Sequence, residues 1–498
     1  MSSTTTTQKH PKGLSSLFFT EMWERFSYYG MRALLTLFLT AELATGGFGM
    51  NRKESLAIYG IFTGLVYLTP IIGGWFADKV IGQRKSIYIG GFTMAIGQFL
   101  LAASSVNNLF GDDASRLTMF YLGLGVLILG NGFFKPNIST IVGDLYDNDD
   151  PRKDGGFTIF YMGINIGAFL SPMIAGTLGE NIGWPYGYLS AGIGMLIGVV
   201  WFYARRNTLE NLGLPPGAVE QGRTSLIAKD WRDIIIYSIA NFIVVYAILK
   251  FWGATGETVH SIVGWTVGIG GLSFLGYSIF KGTSGKTEWT RVIVIIILAF
   301  FNIVFWAGFE QAGGTFNLFA ADNTDRMIGD FQIPVTWFQN INPIAIVTFA
   351  PLFSILWIFL SKRKLNPRTP VKFALAMFVG ALAFYIMTIA SNNAENGTLV
   401  SPTWLIVVYT LLTIGELMLS PIGLSMVTKL SPVKITSIMM GVWMASFALG
   451  NYIAATLEAI LEEYQFDLYP FITWLMLGAG LALLLLTPLL NKFMKGIH

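Results

Sequence analysis

Charged residues stand inside stretches that are otherwise apolar, and they set the chemistry to be explained. Four of them, Glu21, Glu24, Arg25 and Arg32, lie in EMWERFSYYGMR, within a hydrophobic run from about Leu14 to Leu43. At about 100° per residue, Glu21, Glu24, Arg25, Tyr28 and Arg32 fall on one helical stripe, with Tyr29 at its edge. A charge at the bilayer centre costs roughly 2.5–3.5 kcal/mol, so the stripe must face protein or a water-filled cavity. Lys135, in GNGFFKPNIS, needs a partner or a deprotonated state for the same reason. Later, FWAGFEQAGG sets Trp306 and Glu310 one turn apart, and GELMLSPIGLS does the same for Glu416 and Ser420. A buried acid titrates or pairs with a base. A cavity with Arg25, Arg32 and Lys135 on one wall and Glu310 and Glu416 on the other suits a zwitterion such as a short peptide. The competing reading is a permanent buried salt bridge that sets helix register, and such pairs stabilise weakly.

Neutral groups complete the inventory. Tyr28, Tyr29, Tyr67, Tyr161, Trp306 and Trp443 offer aromatic walls, and Asn165, Asn342 and Ser420 offer hydrogen bonds. FYMGINIGAF places Tyr161 and Asn165 on one helix face. Gly163 and Gly167 flank them at a spacing that allows tight packing, so helix packing alone is an open alternative. QNINP puts Asn342 and Pro343 inside another helix. Other chemistries find no support. There is no Cys, and the three His residues (His10, His260 and His498) are peripheral. No metal-ligand cluster, phosphate loop or Ser/His/Asp set is present, so neither a metal nor an enzyme is expected.

The elements that must position these residues are membrane helices. The 498 residues are 53% hydrophobic and only 12% charged, about half the charged share of a soluble protein. Fourteen apolar spans are expected, at about 14–43, 54–78, 85–105, 115–146, 154–179, 185–205, 231–252, 259–280, 290–321, 334–361, 370–391, 401–430, 433–461 and 468–492. Most Lys and Arg near the span ends then collect on one side, while Arg52, Lys53, Arg116, Lys250 and Arg326 fall on the other. That bias puts both termini in the cytoplasm of a multi-pass cell-membrane protein. The polar N-terminus is not a cleavable signal, so the first helix would act as an uncleaved anchor. The longest polar connection, 206–230, suggests a division into a tail 1–13, a six-helix bundle 14–206, a linker with two inserted helices 207–289, a second six-helix bundle 290–492 and a tail 493–498. Two pseudo-symmetric halves around a midplane site are a transporter plan.

Several motifs are similar to those of a known family. GGWFADKVIGQRKS, from Gly73 to Ser86, resembles the cytoplasmic loop signature of the major facilitator superfamily, in which Asp78, Arg84 and Lys85 would form a charge latch. An ordinary basic turn is the alternative. EMWERFSYYG resembles the first-helix ExxERFxYYG motif of proton-dependent oligopeptide transporters, and FYMGINIGAF their fifth-helix motif. With GNGFFKP, FWAGFEQ, QNINP and GELMLSP, the resemblance spans nearly the whole chain, and the two extra helices look like the bacterial branch. It implies a major facilitator fold and proton-driven uptake of di- and tripeptides, with the proton as coupling ion, no cofactor and no nucleic-acid partner. It further implies that Arg25, Arg32 and Lys135 serve the peptide carboxylate, and that Asn165, Asn342 and Glu416 serve its amino end. Tyr29, Tyr67 and Trp306 would line the pocket. Glu21 and Glu24 would couple protons around Arg25, and Glu310 would be the main proton site.

The expected cycle has a proton at Glu310 loosening its pair with Arg32, and a Lys135–Glu416 pair holding the inner side shut. Other substrates on the same fold (nitrate, a drug or a modified peptide), a membrane enzyme and a non-transporting sensor are the other readings.

Overall fold

The computed structural model describes residues 9–147, 150, 152–252, 272–394 and 397–494. The described residues are almost wholly helical. The helices are α1 (Lys12–Thr40), α2 (Arg52–Phe76), α3 (Gln83–Ser104), α4 (Asp113–Asp144), α5 (Lys153–Ser171), α6 (Thr177–Asn181), α7 (Trp184–Ala204), α8 (Ala228–Trp252), α9 (Leu272–Gly282), α10 (Gly285–Phe309), α11 (Thr315–Asp322), α12 (Ile341–Lys362), α13 (Thr369–Asn393), α14 (Thr403–Leu430), α15 (Thr436–Glu463) and α16 (Leu468–Met494). Eleven spans among the described residues are long and apolar enough to cross a bilayer. Helix α1 is not among them, because its four charges interrupt the apolar run. The expected span 259–280 lies partly outside the described residues; its later part is α9.

Three expected spans are continuous in position but irregular in winding. A π segment, Pro172–Gly176, joins α5 to α6, and a 3-10 turn, Val335–Asn340, leads into α12. Between α10 and α11 the chain tightens into a 3-10 turn, Glu310–Gly313. Non-helical backbone at membrane depth is tolerated only where protein or a cavity satisfies it. One element has no counterpart among the expected spans: a two-stranded hairpin, Met327–Ile328 against Phe331–Gln332, turning through Gly329 at φ 61°. Gly-Asp between apolar residues suits such a two-residue turn.

The chain divides into two compact units. One comprises 1–31, 69–175 and 185–247, and the other 32–68, 176–184 and 248–498. Small residues let helices approach within the first. Gly90 of α3 faces the Gly130 carbonyl and Phe134 of α4, and Gly73 of α2 faces the Gly132 carbonyl. Asp112 caps α4 by accepting from the Ser115 backbone N–H at 2.6 Å. In the second unit, Phe305, Trp306, Phe373, Leu419 and Trp443 belong to one apolar core, and Phe316, Phe384, Leu412 and Tyr469 to another.

Candidate functional site

Helix α1 contributes buried charge to both units. In the first, Glu21, Glu24 and Arg25 point inward, and both acids are fully buried. The Arg25 guanidinium donates to Glu24 through Nε, and through Nη2 at 2.5 Å. Its Nε also lies 3.4 Å from Glu21. From α4, the Lys135 ammonium meets the Glu21 Oε1 at 2.5 Å, and the Asn131 amide donates to Glu24 at 3.3 Å. Two acids and two bases thus neutralise one another. The Lys135 side chain is 30% exposed, so one corner of the cluster is open. The second Glu21 oxygen is buried without a hydrogen-bond partner among the described residues. Arg25 also lies 5.1 Å from the Tyr28 ring and 5.7 Å from that of Tyr29, a cation–π arrangement.

Helix α5 closes on this cluster. Gly163 packs on Phe18, and Gly167 on the Met22 carbonyl and the Arg25 stem, where a larger residue would collide with α1. The tight packing expected for these glycines is therefore present. The Asn165 amide donates to the Tyr161 carbonyl at 3.0 Å, which keeps both residues on one face. Tyr161 is 48% exposed, whereas Asn165 is buried.

In the second unit, Arg32 forms an ion pair with Glu310 and donates to the Tyr59 hydroxyl at 2.7 Å. The expected pairing of Arg32 with Glu310 is thus found. The 3-10 turn at Glu310–Gly313 makes it possible. Gly313 lies against the Tyr59 hydroxyl and the Arg32 guanidinium, and a Cβ there would collide with Tyr59 and crowd Arg32. The turn is held by Thr36, which donates to the Gly313 carbonyl at 3.4 Å, and by Tyr409, which donates to that of Ala312 at 2.7 Å. Glu416 of α14 accepts from the Asn342 amide at 3.0 Å, and Asn342 also donates to Thr413 at 3.0 Å. Glu416 has no ion-pair partner among the described residues. Ser420, one turn on, has its hydroxyl oxygen buried without a partner there.

The aromatic residues divide. Tyr67 stacks on Phe447 at 6.2 Å, and Trp306 packs on the same ring at 4.8 Å. Trp443 is fully buried between Phe373, Phe447 and Gly423 in the apolar core.

Two expectations about charge partners are corrected. Asp78 does not pair with Arg84 and Lys85. A π segment, Ala77–Ile81, follows α2, and among the described residues Asp78 accepts from Gln83, at 3.2 Å. Lys85 instead meets Asp230 at 3.2 Å and Asp233 at 3.1 Å, and Arg84 donates to the Glu210 carbonyl. Lys135 has Glu21, not Glu416, as its ion-pair partner here.

Sequence reasoning also missed Tyr59, Asn131, Phe447 and Glu180. Glu180 of α6 accepts from the backbone N–H groups of Val335 and Thr336 at 2.7 and 2.9 Å, and from the Thr336 hydroxyl at 2.7 Å. It borders a cavity of about 570 Å³ within the second unit, which Arg52, Asp322 and Arg326 also line. Burial there lowers the Arg326 pKa, with Glu180 and Asp322 opposing the shift.

Known proteins resemble this chain along nearly its whole length. The sequence profile of the POT family matches residues 84–475. An uncharacterized transporter, YclF, of Bacillus subtilis (strain 168) is 37% identical over 494 residues, spanning 98% of this chain and 96% of its own. The peptide transporter YePEPT of Yersinia enterocolitica is 36% identical over 505 residues, spanning 96% and 94%. A crystal structure of peptide transporter POT in complex with sulfate matches with a TM-score of 0.83 at 36% identity, covering 98% of this chain and 96% of that one.

Proposed function

This chain belongs to the POT family, and from that premise we propose that it is a proton-coupled symporter importing di- and tripeptides by alternating access. It is a multi-pass membrane transporter of the major facilitator fold and not an enzyme. In this reading two six-helix bundles, 14–206 and 290–492, flank a linker with two inserted helices, and both termini lie in the cytoplasm. The coupling ion is the proton, and no cofactor takes part.

The observation that carries the reading is the buried Arg32–Glu310 pair. A proton on Glu310 removes the carboxylate charge and releases the Arg32 guanidinium. The freed cation can then accept a peptide carboxylate in a bidentate contact. Arg25 and Lys135 serve the same carboxylate region. Asn165, Asn342 and Glu416 serve the amino end, where an ammonium would supply the cation that Glu416 lacks. Tyr29, Tyr67, Tyr161, Trp306 and Ser420 bound the site with aromatic and hydroxyl surface, whereas Trp443, expected there from the sequence, lies in the apolar core. Glu21 and Glu24 exchange protons around Arg25, and the unpartnered oxygen of Glu21 supports that assignment. Pairs that exist in only one state bias alternating access by differential stability. The Arg32–Glu310 pair, broken when Glu310 is protonated, would be such a switch.

The test is uptake of labelled dialanine and trialanine into proteoliposomes, with the pH gradient and the voltage varied separately. An inward proton gradient should drive accumulation. Glu310→Gln should abolish accumulation while leaving counterflow. Accumulation against a gradient by that variant would remove Glu310 from coupling. No peptide accumulation by the unaltered protein would overturn the function itself.

A further inference from the structure

We propose that a basic cavity at one end of the second unit binds the phosphate of an anionic phospholipid. The cavity, about 460 Å³, is lined by Arg368, Lys372 and Lys429, together with Thr369, Ser425 and Met426. No Asp or Glu occurs between Asp330 and Glu395, between Glu416 and Glu458, or after Asp467, so the segments forming its walls carry no acid. None of the three cations has an ion-pair partner among the described residues. Lys372 is the decisive one. It is only 9% exposed, and its ammonium lies over the Trp357 ring at 4.2 Å rather than against a carboxylate. A buried ammonium without a counter-ion is costly, and an incoming anion removes that cost. Helix α13 begins at Thr369, so its positive N-terminal end adds to the field.

The surroundings favour a lipid over a soluble phosphate. Trp357 belongs to α12, whose neighbouring Ile355, Ile358 and Phe359 are exposed apolar side chains. Lys362, Arg363 and Lys364 follow at the end of that helix. A ligand with an anionic head and an apolar tail would match both surfaces. Basic pockets between membrane helices bind such head groups.

The experiment uses the full chain in detergent. Thermal unfolding and native mass spectrometry are followed on adding phosphatidylglycerol, phosphatidylcholine or inorganic phosphate. Phosphatidylglycerol should raise Tm and remain bound, and phosphatidylcholine should not. Each cation removed should weaken retention roughly fivefold, and the triple change Arg368→Gln, Lys372→Gln, Lys429→Gln about 100-fold. Neutralising the exposed Lys12, Lys229 and Lys286 should leave retention unchanged. If the triple variant is too unstable to read, Lys429→Gln at an exposed position tests the same loss. Equal retention of the two lipids, or unaltered retention after the cavity cations are removed, would overturn the proposal. A shift with inorganic phosphate alone would overturn the lipid assignment in favour of a soluble anion.

Discussion

The two compact units hold buried charge in different ways. In the first, charges share partners: Glu21 serves both Arg25 and Lys135, and Glu24 serves both Arg25 and Asn131. In the second, Arg32 and Glu310 depend on each other, helped by Tyr59, while Glu416 has an amide and no cation. A shared network loses one member and keeps its neutral core nearly intact. A pair with no third charge among the described residues loses its counter-ion with either partner, and the survivor stays buried with neutral hydrogen-bond partners only. The largest expected effect follows. Glu310→Gln or Arg32→Met should each lower stability by about 3–5 kcal/mol. The double variant should cost clearly less than the sum, a coupling that a double-mutant cycle in thermal unfolding would measure. Additive losses would mean that the two residues do not act as one unit.

Glu21→Gln should cost less, about 2 kcal/mol, the scale of one hydrogen bond to a charged group. Arg25 keeps Glu24, and the partly exposed Lys135 can turn to water. The measurement is the same unfolding curve. A loss as large as that of Glu310→Gln would erase the contrast between network and pair. Transport divides the two sites differently. Loss of Arg32 should impair substrate binding and gating, whereas loss of Glu21 should mainly uncouple protons.

What was legible in the sequence follows from where the free energy is large. Glu21, Glu24, Arg25 and Arg32 sit in an apolar run, and the cost of exposing them to lipid puts them on one interior stripe before any coordinates are known. The glycines of α5 were legible too, since small residues at a fixed spacing have few uses in a membrane. Of the partners, Arg32 with Glu310 was legible, and those of Lys135 and Lys85 were not. Lys135 meets Glu21 because of the rotation of α4, which is set by contacts such as Gly73 on the Gly132 carbonyl and Gly90 on Gly130. Hydropathy does not record that rotation. Asp78 was misread because a π segment turns it away, while Asp230 and Asp233, many residues later, take Lys85. The break at Glu310–Gly313 was hidden inside a continuous apolar span, although Gly313 and Gly314 hinted at it. Glu180 stands at the end of a span, where an acid reads as merely solvated.

Glu180 sharpens the contrast, because it is a carboxylate in the second unit with no cation required. It satisfies two backbone N–H groups and a hydroxyl at the start of the turn before α12. Trp337 reinforces that junction by donating to the Thr177 hydroxyl at 2.9 Å. Glu180→Ala should cost roughly 1–2 kcal/mol, the scale of removing a capping acceptor. Glu180→Gln should recover part of it, since one acceptor oxygen remains. An unchanged unfolding temperature for Glu180→Ala would mean that water replaces the carboxylate at no cost.

The smallest effect lies at the rim of the first unit, where charge pairing is open to solvent. Asp150 accepts from the Arg152 side chain and backbone, and these hydrogen bonds lower its pKa to about 2. A carboxylate held below its unfolded value of about 3.9 contributes stability that is fully present above that value. The contribution is lost as the pH falls through the folded pKa. Between pH 5 and 8 the contact is therefore constant, so it cannot contribute to any pH dependence of transport in that range. An NMR titration of the Asp150 carboxyl should give a midpoint below about 3, and Arg152→Ala should raise it only part of the way to about 3.9, because the backbone N–H of residue 152 still donates to the carboxylate. An ordinary midpoint in the unaltered protein would show that solvent screens this surface pair completely. The contrast would then rest on the buried charges alone, where a shared network and a single pair face the same low-dielectric cost with different means of meeting it.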